Sequence, residues 1–273
     1  MRSPASRLIL ILLATTSLSL AETAPVEPPA GTADLGVQWM QAKAPDLGVM
    51  LIAIARPTGA GPFPTVVVLH GTHGFAREYV QLARALAKER VLAVVPCWFS
   101  GGGGSGASFV TPIPCTGAPP RSAAASATAQ KTVKALVSAV RTLPDVQHGS
   151  VALFGHSLGG GTVLNYALDT GDIRAAVLDS AGFTDEQIER IARLQVPILL
   201  LHGAGDTSAD GGSPFQTPQK ARAFEAALRK AGKTVEAVYY EKAGHNGIFT
   251  DPKQFEDSVR RIAVFIAQSP ETR

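Results

Sequence analysis

The stretch Val151–Gly161, VALFGHSLGGG, decides how this chain is read. Val151–Phe154 is a short continuous apolar run, and LGGGTVLNYAL from Leu158 opens a helical pattern. The segment therefore reads as a buried strand that turns sharply into a helix. At its centre stands G-x-S-x-G, with Ser157 between Gly155 and Gly159. Alone the pattern is weak, because a chain with 27 glycines can carry it by chance. The plain alternative is a glycine-rich bend that lets a helix lie close to a sheet. The strand-turn-helix context favours a nucleophile: the sharp turn strains the middle residue, needs small neighbours, and lifts the hydroxyl above the sheet. It also sets the Leu158 amide at a helix N-terminus, where it can stabilise an oxyanion.

Outward from this turn, strands and helices alternate. Gly48–Pro57, Thr65–Gly71, Val91–Phe99, Ala175–Leu178, Pro197–His202 and Val235–Tyr240 are apolar, β-branched runs ended by turn signals. Between them Ala76–Arg90, Ser126–Leu143, Asp185–Leu194, Gln219–Ala231 and Pro252–Ala267 carry helical spacing. Continuous rather than alternating apolar strands indicate a sheet covered on both faces, so the class is α/β with a doubly wound, mostly parallel sheet. In such sheets ligands sit beyond the carboxyl ends of the strands. Residues just after strands carry the functional weight.

Three other strand ends supply what a serine needs. His245, in KAGHNGIF after the last strand, is the candidate base among six histidines. Asp206, in LLLHGAGDTSAD, follows a strand end and is the candidate acid, with Asp210 and Asp179 as competitors. The loop HGTHGF offers a second oxyanion donor, the Thr72 amide first and that of His73 second. His70 and His202 each end a strand as LHG and read as loop braces. His156 is adjacent to the serine but points elsewhere, and His148 reads as solvated.

On these motifs the chain resembles the α/β-hydrolases, and within them the dienelactone-hydrolase-like secreted or periplasmic esterases. VVVLHGTHG, ALAKERVLAVVPCWF, GHSLGGG, PILLLHGAGD and AGHNGIF fall in the family's order, from about Val49 to Ile266. The resemblance implies a mostly parallel sheet of about eight strands and an acyl-enzyme mechanism without metal or organic cofactor. Dienelactone hydrolases proper use a cysteine where this chain has Ser157, which favours ordinary carboxylic esters over dienelactone. Rival readings are a peptide or amide hydrolase on the same fold, and a silent binding module, against which a complete triad argues.

Other features bound the reading. Arg2 and Arg7 precede the apolar run Leu8–Leu20, and Ser19 and Ala21 suit a signal-peptide cleavage after Ala21. The run has about 13 residues where a membrane span needs about 20, so export is expected rather than a membrane anchor. Residues 22–33, rich in Pro, Ala and Thr, read as a flexible leader, and 34–273 as one domain. The net charge of +3 falls to +1 without Arg2 and Arg7, and no basic cluster suggests nucleic acid.

Cys97 and Cys115 bracket an irregular segment and, in an exported protein, are expected to form a disulfide; the alternative is that each is a small buried apolar residue. Neither carries metal-ligand spacing. Within this Cys97–Ser122 insertion, Trp98, Phe99 and Phe109 are candidates for the substrate pocket, with His73 lining the site; the alternative is a surface loop. GGGGSG at Gly101–Gly106 fits a dinucleotide fingerprint formally, but prolines follow where a helix is required. GKT at Gly232–Thr234 leads into a strand rather than out of one, so it too is a turn. About 18 residues separate the Ala175–Leu178 and Pro197–His202 strands, too few for a large lid domain.

Overall fold

Residues 22–44, 46–102, 109–207 and 212–270 are described by the computed structural model. The apolar run Leu8–Leu20 and its cleavage site lie outside them, as does Asp210. Among the described residues the strands are β1 (Glu22–Pro25), β2 (Gln38–Ala44), β3 (Gly48–Ala55), β4 (Phe63–Leu69), β5 (Leu92–Pro96), β6 (Val146–His156), β7 (Ala176–Asp179), β8 (Ile198–Gly203) and β9 (Val235–Tyr240). They form one sheet in the order β1-β2-β3-β5-β4-β6-β7-β8-β9. From β5 to β9 every pairing is parallel, while β1, β2 and β3 extend the β5 edge antiparallel.

The helices are α1 (Arg77–Lys88), α2 (Ala127–Arg141), α3 (Leu158–Asp169), α4 (Asp185–Glu189), α5 (Pro218–Lys230), α6 (Gly247–Thr250) and α7 (Pro252–Gln268). Their starts follow from their caps. Ser126 accepts from Ala129 N, Thr217 accepts from Lys220 N ahead of Pro218, and Asp251 caps α7 ahead of Pro252. One face of α1 (Tyr79, Val80, Leu82, Ala83, Leu86) is buried. Right-handed crossovers put α1, which leads back toward β5, on the opposite face from α2 and α3, which lead toward β6 and β7. The strands between these layers are dry: Val66, Val67, Val68 and Leu69 of β4 and Val151–Phe154 of β6 are fully buried. Each of the Val, Leu and Phe side chains among them contributes roughly 1.5–3 kcal/mol.

The expected doubly wound, mostly parallel sheet of about eight strands is present, with nine among the described residues. One expectation needs correction: Glu22–Pro25 is not free leader. It pairs with β2 from Glu22↔Lys43 to Pro25↔Met40, and Val26 N donates to Trp39 O at 3.0 Å. An edge strand needs backbone partners only on one side and tolerates proline, so its composition carries no apolar signal.

The described residues of the Cys97–Ser122 insertion lie against the loop that follows β4 and against the start of β3. Arg77 N bonds Thr111 O at 3.0 Å, Ile113 N bonds Phe75 O at 2.9 Å, and Val49 N bonds Gly117 O at 2.9 Å. Gly102 packs so closely on that loop that a Cβ there would stand 2.7 Å from Gly74 N. Cys97 and Cys115 are joined by a disulfide, with Cα atoms 6.2 Å apart across 18 residues of chain. A loop of that length is worth about 3 kcal/mol in chain entropy.

Candidate active site

Ser157 sits between β6 and α3 at φ 54°, ψ −116°, a region that side chains rarely occupy. Two bonds impose it: Ser157 N donates to Asp179 O at 2.9 Å, and Gly161 N donates to Ser157 O at 3.1 Å. The flanking glycines are required by close approach. A Cβ on Gly155 would run into the Gly159 backbone, and one on Gly159 into the carbonyls of Leu69 and His70.

His245, from the loop between β9 and α6, and Asp206, from the loop after β8, complete a line with this hydroxyl. His245 Nε2 is 2.9 Å from Ser157 Oγ, and His245 Nδ1 is 2.9 Å from Asp206 Oδ2. Accepting from Nδ1–H leaves Nε2 bare, the form that can accept the serine proton. All three residues are buried. Burial alone would raise the Asp206 carboxyl, but hydrogen bonds from His202 and His245, with the charges on those rings, hold it below its ordinary value. His202 Nε2 stands 3.2 Å from Asp206 Oδ2, so this histidine braces the acid, as a strand-end histidine was expected to brace a loop.

A cavity of about 480 Å³ opens over Ser157. Thr72 and Leu158, the expected oxyanion donors, both line it, Leu158 as the first residue of α3, where the amide lacks an intrahelical partner. Its walls come from Ala124, Asn165, Thr184, Glu186, Phe215 and Gln216, among others.

The expected pocket residues are elsewhere. Trp98 and Phe99 are 2% exposed and line none of this cavity. Trp98 Nε1 donates to His70 O at 3.1 Å, and the Phe99 ring packs edge-on against His70 at 4.5 Å. They support the loop after β4 from beneath. His73 is also buried and faces a separate, smaller recess with Phe99 and Cys115, while Phe109 packs edge-on against His73. Aromatic residues after an active-site strand suggested a wall; the disulfide-tied insertion instead turns them inward.

A second hydrogen-bonded line runs behind the first. Gly71 N donates to Tyr79 Oη at 2.9 Å, Tyr79 Oη donates to His156 Nδ1 at 2.9 Å, and His156 Nε2 donates to His245 O at 3.3 Å. It joins the loop carrying Thr72 to the loop carrying His245. His156 lines none of the cavity, in keeping with the expectation, and its partner Tyr79 stands on the buried face of α1. Burial, followed by the charges of His245 and His73, presses His156 well below its ordinary range. Burial likewise lowers His70, to about 3, and lowers His73.

Asp179 ends β7 and makes no hydrogen bond to His245. Among the described residues neither of its oxygens has a hydrogen-bond partner, and His156 Nε2 is 3.8 Å from Oδ2. Burial, then the charge of Asp206, pushes its carboxyl well above the ordinary 3.8. The folded state thus keeps a proton that the unfolded chain releases near pH 3.8, and stability from this group falls as pH rises above that value. Asp179→Asn removes the titration. Its melting temperature should gain on the parent's by a wider margin at about pH 8 than at about pH 5. Thermal melts at the two values check this, and an equal offset would contradict it.

Comparison with known proteins adds a lineage. The model of the dienelactone hydrolase family matches residues 51–263. A Methylorubrum extorquens protein named for carboxymethylenebutenolidase activity is 27% identical over 206 residues, 72% of this chain and 68% of its own length. A Klebsiella pneumoniae structure described as a dienelactone hydrolase superposes with a TM-score of 0.61 at 20% identity, covering 90% of this chain and 99% of that one. A Pyrococcus furiosus esterase gives a TM-score of 0.67 at 14% identity, covering 90% and 98%. Likeness at these identities speaks to the fold.

Proposed function

The chain belongs to the dienelactone hydrolase family and is a hydrolase of ester or lactone substrates; from that premise we propose that it is a serine esterase working through an acyl-enzyme. The observation that carries the reading is the unbroken line Ser157–His245–Asp206, with both hydrogen bonds at 2.9 Å. Ser157 Oγ attacks the ester carbonyl as its proton passes to His245 Nε2, and Asp206 stabilises the imidazolium. The amides of Thr72 and Leu158 take the oxyanion. His245 then protonates the leaving alcohol, and water repeats the cycle on the acyl group.

The cavity favours uncharged acyl groups. Among the described residues lining it, Glu186 is a carboxylate and none is Lys or Arg. Carboxymethylenebutenolide carries a carboxylate that would need a cationic partner, so neutral esters fit better. The disulfide supports an exported protein, since such bonds persist in oxidising compartments. Among the described residues no helix is long and apolar enough to cross a membrane.

A fluorophosphonate probe tests the nucleophile. Peptide mass analysis should find a single adduct on Ser157; no adduct, or one elsewhere, would overturn the assignment. On the labelled-competent enzyme, nitrophenyl acetate should turn over at least about tenfold faster than the matching succinate half-ester, by analogy with an unpaired charge entering an apolar site.

A further inference from the structure

Gln216 reaches the nucleophile from the loop between β8 and α5. Its Nε2 lies 3.0 Å from Ser157 Oγ and 3.2 Å from Ser180 O. The far side of the amide fixes which end is which. Gln216 Oε1 stands 2.8 Å from Ser213 N, which can only donate, so the NH2 end must face Ser157. The main chain is held as well, with Gln216 N on Ser213 O at 2.9 Å and Gln216 O accepting from His202 Nε2 at 3.1 Å. His202 is the ring that also braces Asp206. The residue is 9% exposed and lines the cavity, so this donor is built into the wall.

Ser157 Oγ therefore gives its proton to His245 and accepts one hydrogen bond from Gln216. Resting on the serine-nucleophile reading above, we infer that Gln216 is a catalytic residue for deacylation, the half of the reaction in which Oγ is the leaving group. There the water oxygen has bonded to the acyl carbon and its proton sits on His245 Nε2. The carbon–Oγ bond breaks, its electron pair passes to Oγ, and Oγ takes the proton from His245, releasing the carboxylic acid and the free serine.

The asymmetry between the two halves follows from what Oγ is beforehand. In the acyl-enzyme Oγ is an ester oxygen and a weak acceptor, so the Gln216 amide rests on Ser180 O. As charge grows on the departing Oγ, the bond from Gln216 strengthens. An interaction stronger in the transition state than in the preceding ground state accelerates that step. In acylation the resting hydroxyl already accepts this bond, so less is gained on reaching the transition state.

Gln216→Met keeps the side-chain length and removes the donor. Stopped-flow hydrolysis of a nitrophenyl ester separates the acylation burst from steady-state turnover. Deacylation should slow about tenfold or more while acylation changes less than about threefold, so that acyl-Ser157 accumulates and is visible by intact mass. Equal losses in both steps, or an unchanged deacylation rate, would overturn the role. Gln216→Glu retains the shape and the acceptor for Ser213 N but, when ionised, donates nothing to Oγ. It should show the same asymmetry, and its failure to do so counts against the role even if the Met variant does not fold. Fluorophosphonate labelling of the parent enzyme stands apart from this. Absence of a Ser157 adduct there defeats the nucleophile reading, whereas intact labelling with symmetric kinetics defeats only the role of Gln216.

Discussion

Ser157→Ala is expected to lower kcat for ester hydrolysis by about 10⁶-fold and to abolish fluorophosphonate labelling. The loss is this large because, in the proposed mechanism, the hydroxyl is the group that His245 activates. Without it, water must attack the carbonyl directly, and no acyl-enzyme forms. The Thr72 and Leu158 amides remain, so catalysis of about 10³-fold over water should survive. Adding His245→Ala to the first change should cost little more, since a base with nothing to deprotonate contributes little. Active-site titration with steady-state kinetics checks both statements. Retention of more than about one-hundredth of the parent rate would contradict them.

Asp206→Asn should lower kcat/KM by about 10⁴-fold with little change in the fold. Asp206 Oδ2 accepts from His245 Nδ1, and an amide there can present its NH2 instead. That turns the imidazole to the tautomer with hydrogen on Nε2, which cannot accept the proton of Ser157. The variant also loses the charge that stabilises the imidazolium. Asp179→Asn, by contrast, alters a carboxyl that makes no bond to His245, so its rate should stay within about threefold of the parent's. The reverse ranking of the two asparagine variants would reassign the acid.

The alternation of apolar strands and helical patterns made the parallel core legible, because a strand buried on both faces must be a continuous apolar run. The edge was harder. In β2 the residues Met40, Ala42 and Ala44 are buried while Gln41 and Lys43 face out, and this half-polar alternation offers no continuous apolar run to mark a strand. The strand β6 begins at Val146, several residues before the apolar run that announced it, because backbone pairing with β4 extends past the hydrophobic segment.

In the candidate site, Ser157, His245 and Asp206 follow strand ends, so strand order was enough to nominate them. Choosing among Asp179, Asp206 and Asp210 needed directions of side chains that spacing does not encode. Gln216 had no signal of any kind. Its contact with Ser157 spans 59 residues and depends on a loop whose shape is set by Ser213, His202 and Ser180. Trp98 and Phe99 were misplaced for the related reason that a nearby aromatic residue can serve as a wall or as a foundation, and only the path of the insertion distinguishes them.

The crowd of imidazoles behind the triad has a consequence for proton counting. The His156 and His245 rings lie 5.3 Å apart and those of His73 and His156 6.3 Å apart, near enough for each added charge to oppose the next. Because burial lowers His70, His73 and His156, they compete poorly for the proton that the proposed cycle passes to and from His245. The line from Gly71 through Tyr79 to His156 is likewise a chain of neutral dipoles, so the scaffold that aims the base carries no ionic link for acid to break. His245 would then shuttle its proton past three rings that do not take it.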